Sequence, residues 1–122
     1  MREPSSPDAS DPIGPRVAGF AEACSQGGLP AEVESRAKLH ILDCVGIGLA
    51  STGFDFGQRT INAISGLAGP GEYPVMGTPL RLPLRDAVLV NGTLIHGLDF
   101  DDTHSGGVIH ASASAFPTVL AL

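Results

Sequence analysis

The sequence predicts an all-α chain of about five packed helices. Apolar residues recur at helical spacing of three and four in successive segments, glycine and proline punctuate the gaps between them, and no segment carries a convincing two-residue alternation. The 122 residues suffice for one domain at most. Aromatics are few and tryptophan is absent, so leucine, valine, isoleucine and alanine must build the core. Sixteen glycines are many for a helical chain and imply frequent turns or close backbone approach.

Residues 1–15 hold Pro4, Pro7, Pro12 and Pro15 among serines and aspartates. Such a stretch buries too little apolar area to offset its ordering entropy and reads as a disordered tail. The first helix is expected over Arg16–Gln26, with Val17, Phe20, Ala21 and Cys24 on one face and Gly27-Gly28 as its stop. Pro30 opens the second, with Glu32 and Glu34 in the first turn where the helix dipole favours acids. It runs to about Ala50 with a stripe of Val33, Ala37, Ile41, Cys44, Val45 and Gly48, and Gly46 and Gly48 would permit a close helix crossing. Lys38 and His40 in this helix read as surface or helix-face polar groups. A third helix is expected over Phe54–Leu67, carrying Phe56, Ile61, Ile64 and Leu67. Glu72–Gly77 is short and extended, and Thr78–Pro83 is a loop between prolines. The fourth helix starts near Pro83 and carries Leu84, Ala87, Val88, Asn91, Ile95 and Leu98; Asn91 needs partners if buried there. The fifth, Ala111–Leu122, packs Phe116 and Leu120, with Pro117 tolerated only in its first turns.

The net charge of −6 argues against nucleic acid and against anionic membranes. Cys24 and Cys44 have no metal or redox spacing and read as small buried hydrophobes in a reducing compartment. No apolar run reaches the roughly 18–20 residues of a membrane span. The first fifteen residues contain no signal-peptide core, so the expected location is cytoplasmic. The closing Val119-Leu120-Ala121-Leu122 is apolar, which suggests a fragment or a face for another subunit.

Chemistry concentrates in one stretch, Asp99-Phe100-Asp101-Asp102-Thr103-His104 followed by Ser105-Gly106-Gly107-Val108-Ile109-His110. If the fourth helix continues that far, His96, Asp99 and Thr103 share one face, while Asp101, roughly 200° from Asp99 about an ideal axis, points away. His110 returns across the Ser105–Ile109 loop. An imidazole with a carboxylate and a hydroxyl makes an acid–base site. Competing readings treat Asp101 and Asp102 as a solvated helix end and His96 as a hydrogen-bonded core histidine. A calcium loop beginning at Asp99 fails, because His104 stands where glycine is required and His110 where glutamate is. A zinc site from His104, His110 and an aspartate matches no standard spacing.

The run Asn91-Gly92, His96, Leu98-Asp99-Phe100-Asp101-Asp102-Thr103, then His110, Ser112 and Pro117, resembles the N-terminal helical domain of the MmgE/PrpD family. Leu42-Asp43-Cys44-Val45-Gly46-Ile47-Gly48-Leu49-Ala50 is similar to an early helix of the same family. The resemblance spans roughly Val17 to Leu122. It implies a partial N-terminal helical domain over residues 16–122, and a cofactor-independent lyase (2-methylcitrate dehydratase, cis-aconitate decarboxylase) or an epimerase. It also implies small di- and tricarboxylate substrates, no metal or organic cofactor, and a homodimer in the full-length form. By matching position it implies that Asp99, Thr103 and His110 are the catalytic residues, although the family often has His-Pro-Ser where this chain has His110-Ala111-Ser112. The family's chains are several times longer, and the cations for substrate carboxylates would come from the part not present here. Two other readings stand beside this one: an inactive helical remnant that only binds or dimerises, and a metal-dependent hydrolase built on Asp101, Asp102, His104 and His110.

Overall fold

A computed structural model describes residues 12–122. Its elements are α1 (Ile13–Gly27), α2 (Ala31–Ser51), α3 (Asp55–Leu67), β1 (Tyr73–Pro74), β2 (Arg81–Leu82), α4 (Leu84–His96) and α5 (Ala111–Ala121). The fold is helical, as the periodicity predicts. The chain divides between Glu34 and Ser35 into two compact units, and the chemistry-bearing stretch lies wholly in the second.

In the first unit, α1 begins at Ile13, three residues before the expected start, because Pro15 falls in its first turn, where no backbone N–H is needed. The rest of the expected tail, residues 1–11, lies outside the described residues. The helix ends where Gly28 takes φ 71° and its N–H bonds Cys24 C=O at 3.1 Å.

In the second unit α4 is the hub, packing on α5, on α3 and on both strands. Its buried face is Ala87, Val90, Asn91, Leu94 and Ile95. Of the expected stripe, Ala87, Asn91 and Ile95 are there; Leu84 is exposed and Val88 half-buried. Ile61 of α3, Val75 and Leu82 of the hairpin, and Ala87, Val90 and Leu94 of α4 make one core cluster. Leu67, expected on that core, is exposed because it is the last residue of α3.

The expected loop Thr78–Pro83 contains β2, which pairs antiparallel with β1 in the register Tyr73↔Leu82 and Pro74↔Arg81. Prolines do not prevent this pairing because the ladder is two residues long and Val75 N–H closes the turn onto Leu80 C=O at 3.1 Å. Asn91 fixes the hairpin to α4. Its Oδ1 accepts from Met76 N–H and its Nδ2 donates to Pro74 C=O, both at 2.9 Å. The buried amide therefore has the partners its position demanded.

On α2 the buried positions are Cys44, Ile47, Gly48 and Ser51, a single helical face. Val33 and Ile41, expected on it, are about half exposed. Gly48 does allow close approach, but to Met76 of the hairpin: a Cβ there would lie 2.7 Å from its sulfur. Gly46 faces open space. The contact between α4 and α5 depends on Gly92, where a Cβ would sit 3.0 Å from Ala113 C=O. Pro117 lies inside α5, deeper than the first turn, and is buried. Lacking an N–H, it leaves the Ala113 carbonyl without its helical donor at the spot where α4 passes. Among the described residues no single helix is long and apolar enough to cross a membrane.

Candidate functional site

Helix α4 stops at His96, before the acidic stretch begins. Two features end it. A Cβ at Gly97 would lie 2.1 Å from the Phe56 ring, so α3 presses directly on that backbone. Asp99 then turns its N–H back to His96 C=O at 2.8 Å and adopts a left-handed φ of 56°, which aspartate tolerates better than most residues. The expected shared face of His96, Asp99 and Thr103 therefore does not exist. The chain leaves the helix seven residues short of Thr103, and the 100° step of a helix no longer governs where each side chain points.

The two middle acids follow this change. Asp101, which one competing reading set on a solvated helix end, is buried, with its side chain 0% exposed. Asp102 is half-buried, and its Oδ1 accepts the Ser112 N–H at 3.1 Å, satisfying one of the open donors of the first turn of α5. Thr103 is exposed and directs its hydroxyl to Asp101 C=O at 3.4 Å, outside the imidazole cluster. His104 is committed to its own loop. It bridges to Ile109, and its Nδ1 accepts the Gly107 N–H at 2.9 Å. That tight loop, with Val108 at φ 50°, brings the chain back so that His110 stands as the N-cap of α5.

The result is a cluster of two histidines and two aspartates. His96 Nδ1 lies 3.2 Å from both oxygens of Asp101. His110 Nδ1 lies 3.2 Å from Asp101 Oδ1, at ion-pair distance, but it is not aimed along a hydrogen bond and has no other polar partner. His110 Nε2 lies 3.6 Å from Asp99 Oδ1, and the Asp99 side chain is 80% exposed. The two rings meet edge to face with centroids 4.7 Å apart. Of the residues expected from sequence, the structure brings Asp99 and His110 together and leaves Thr103 outside the cluster. It adds Asp101 and His96, which sequence reasoning had set aside. The available signal was Gly97 beside the acids, since a glycine at a helix end allows another segment, here Phe56, to press on the backbone.

His96 and His110 also line, with Ile109, Ala111, Ala113 and Ser114, an open concavity of about 700 Å³. Its walls are small, so a compact ligand can reach the histidines. Under the cluster lies Cys44. Burial foremost, then the charges of Asp102, Asp43 and Asp101, hold its thiol above the ordinary value of 9.0, against a lowering hydrogen bond from Ser112. If a metal bound here, its ligands would be His96, Asp99, Asp101 and His110, whose donor atoms all lie within 4.8 Å of one another. The set expected from sequence differs, because Asp102 and His104 are taken up by backbone N–H groups.

Comparison with known proteins places these residues in a family. The family model described as the MmgE/PrpD N-terminal domain matches residues 15–122. A cis-aconitate decarboxylase-like protein of Aspergillus oryzae is 29% identical over 93 residues, 76% of this chain and 19% of its own length. The cis-aconitate decarboxylase of Mus musculus is 34% identical over 88 residues, 71% of this chain and 18% of its own. That of Homo sapiens is 34% identical over 97 residues, 79% of this chain and 20% of its own. The chain thus spans about a fifth of the length of the curated relatives it matches. No solved structure matches it. With a family match that takes in the helices of the second unit and the whole histidine–aspartate cluster, the chain belongs to the MmgE/PrpD family, as its N-terminal domain.

Proposed function

We propose that this chain is the N-terminal part of a cofactor-independent lyase acting on a small di- or tricarboxylate, with cis-aconitate the first substrate to test and 2-methylcitrate the second. The observation that carries this reading is His110, set between the carboxylates of Asp101 and Asp99 at 3.2 and 3.6 Å and open to a concavity walled by small residues. The names of the relatives supply the substrate class. Loss of carbon dioxide and loss of water both require a proton to move beside a carboxylate, and an imidazole flanked by acids can carry it near neutral pH.

In this reading His110 Nε2 exchanges the proton with substrate carbon. Exposed Asp99 steadies the imidazolium that forms, and the Thr103 hydroxyl bonds a substrate carboxylate. No lysine or arginine lines the concavity among the described residues. The cations that neutralise a polycarboxylate belong to the remaining four fifths of the family's length, and the working enzyme is a cytoplasmic homodimer. The 122-residue chain alone therefore turns over neither substrate.

The test is a chimera in which residues 15–122 replace the matching segment of the mouse decarboxylase. Carbon dioxide release from cis-aconitate is expected, and Asp99→Asn and His110→Ala should each lower it by at least about 10²-fold, the general acid–base factor. A chimera that folds by circular dichroism and turns over neither cis-aconitate nor 2-methylcitrate refutes the assignment. Turnover by the isolated chain refutes the claim that cations must come from elsewhere.

A further inference from the structure

We propose that Asp101 is the positioning residue of this site: it bridges two imidazoles, His96 and His110, and fixes both as the Nδ1–H tautomer, leaving each Nε2 as the basic nitrogen. The inference deepens the lyase reading and rests on it for its catalytic half; its tautomeric half stands without it.

The geometry is that of a carboxylate serving two rings. The Asp101 side chain is fully buried, and no lysine or arginine is paired with it among the described residues. A buried carboxylate needs hydrogen-bond donors, because each unmet lone pair carries a desolvation cost. The nearest side-chain groups able to donate are the two Nδ1 atoms, at 3.2 Å each; that of His96 is hydrogen-bonded to the carboxylate, and that of His110 is buried beside it without a hydrogen-bond partner. At His96 the hydrogen bond requires Nδ1–H; at His110 a proton on the buried Nδ1 faces the carboxylate charge, where a lone pair would be repelled, while the carboxylate near its Nε2, Asp99, is 80% exposed and screened by solvent. In neutral rings that leaves Nε2 unprotonated. For His110 this is the nitrogen facing exposed Asp99. Both rings line the concavity, so a substrate meets basic nitrogens there whenever the rings are neutral.

Proton balance follows directly. In decarboxylation the C–CO₂ bond breaks, its electron pair stays on the substrate, and the ring, protonated beforehand on Nε2, gives that proton to the substrate carbon; in dehydration His110 Nε2 instead accepts a proton from substrate carbon, the C–H bond breaks, an N–H bond forms, and the electron pair makes the double bond as the hydroxyl leaves. In both, the protonated ring is an imidazolium whose Nδ1–H faces Asp101 and whose Nε2–H faces Asp99. Asp101 does not touch the substrate. It sets which nitrogen is basic and stabilises the charged ring, as an orienting carboxylate does behind a catalytic histidine. The same assignment speaks against a resident metal held through Nδ1, since a protonated nitrogen has no lone pair to give.

The fold supplies a control within the same molecule. His104 Nδ1 accepts a backbone N–H from Gly107, so that ring must be the opposite tautomer, Nε2–H. The experiment is long-range proton–nitrogen NMR on the ¹⁵N-histidine-labelled 122-residue chain, at a pH where the rings are neutral. His96 and His110 should show a protonated Nδ1 and a bare Nε2, and His104 the reverse. In Asp101→Asn the amide can donate or accept, so His96 and His110 should lose the bias while His104 keeps its own. If Asp101→Asn fails to fold, the wild-type spectrum still decides: averaged tautomers, or Nε2–H, at both rings overturn the proposal. In the active chimera, Asp101→Asn should lower kcat by about 10²-fold or more and leave KM within about twofold, the pattern of a group acting through another. A fixed tautomer in the spectrum with an unchanged kcat would overturn the positioning role and leave the lyase assignment standing. An inactive parent chimera would refute the lyase and leave the tautomer assignment standing.

Discussion

Replacing Asn91 by alanine tests how the hairpin is held to the helix that carries His96. The side chain is 2% exposed and makes two hydrogen bonds, from Met76 N–H and to Pro74 C=O, both at 2.9 Å. Removing it deletes both bonds, at about 1 kcal/mol each. Met76 is half-buried, so its N–H is left short of a partner and adds part of a desolvation cost of about 1–3 kcal/mol. Pro74 is exposed, so water replaces the amide at its carbonyl and the second loss stays small. The sum is about 3 kcal/mol, a large share of the stability of a domain this size. Urea unfolding followed by circular dichroism reads it directly. With a slope of about 2 kcal/mol per molar, the midpoint should fall by about 1.5 M. Asn91→Asp discriminates further. It keeps an acceptor for Met76 but sets an oxygen against the Pro74 carbonyl, so its folded-state carboxyl pKa must rise. Its stability should then recover as pH falls through that raised value, where the protonated carboxyl can donate. A loss below about 0.5 kcal/mol for Asn91→Ala would show that the amide does not hold the hairpin.

Three further outcomes are expected. The raised Cys44 thiol makes the folded state hold its proton more tightly than the unfolded chain does, so its contribution is complete below pH 9.0 and is lost as pH climbs above it; Cys44→Ala should flatten the alkaline slope of urea midpoints, and an unchanged slope refutes the cause. Val108 is β-branched, 83% exposed and left-handed at φ 50°; Val108→Gly should raise thermal stability by about 1 kcal/mol, and a clear loss would show that the loop does not carry this strain. Leu42, Val119 and Leu122 are 68, 71 and 93% exposed, so the isolated chain should self-associate, and a monomeric light-scattering profile across the concentration range would argue against it.

The helical class and the order of the helices were legible in the residues alone. Periodicity reports which face of a segment is apolar, and in α4 it located Ala87, Asn91 and Ile95 correctly on the buried face. Composition marked the twelve residues from Asp99 to His110 as the chemical stretch, and the matching motif named the family. The roles within that stretch were not legible, because they depend on where α4 stops. A helix end is set by what presses on it: here Phe56 of α3 against Gly97, and the left-handed turn at Asp99. Extending the helix to Thr103 rotates Asp101 away from the site, whereas ending it at His96 buries that carboxylate between two imidazoles. The β2 pairing was missed for a related reason, since a two-residue strand leaves no period to read and its partner β1 is held in place by Asn91 of α4. Local sequence fixes spacing along the chain and the chemical groups available. Only packing between distant segments decides which of those groups face one another.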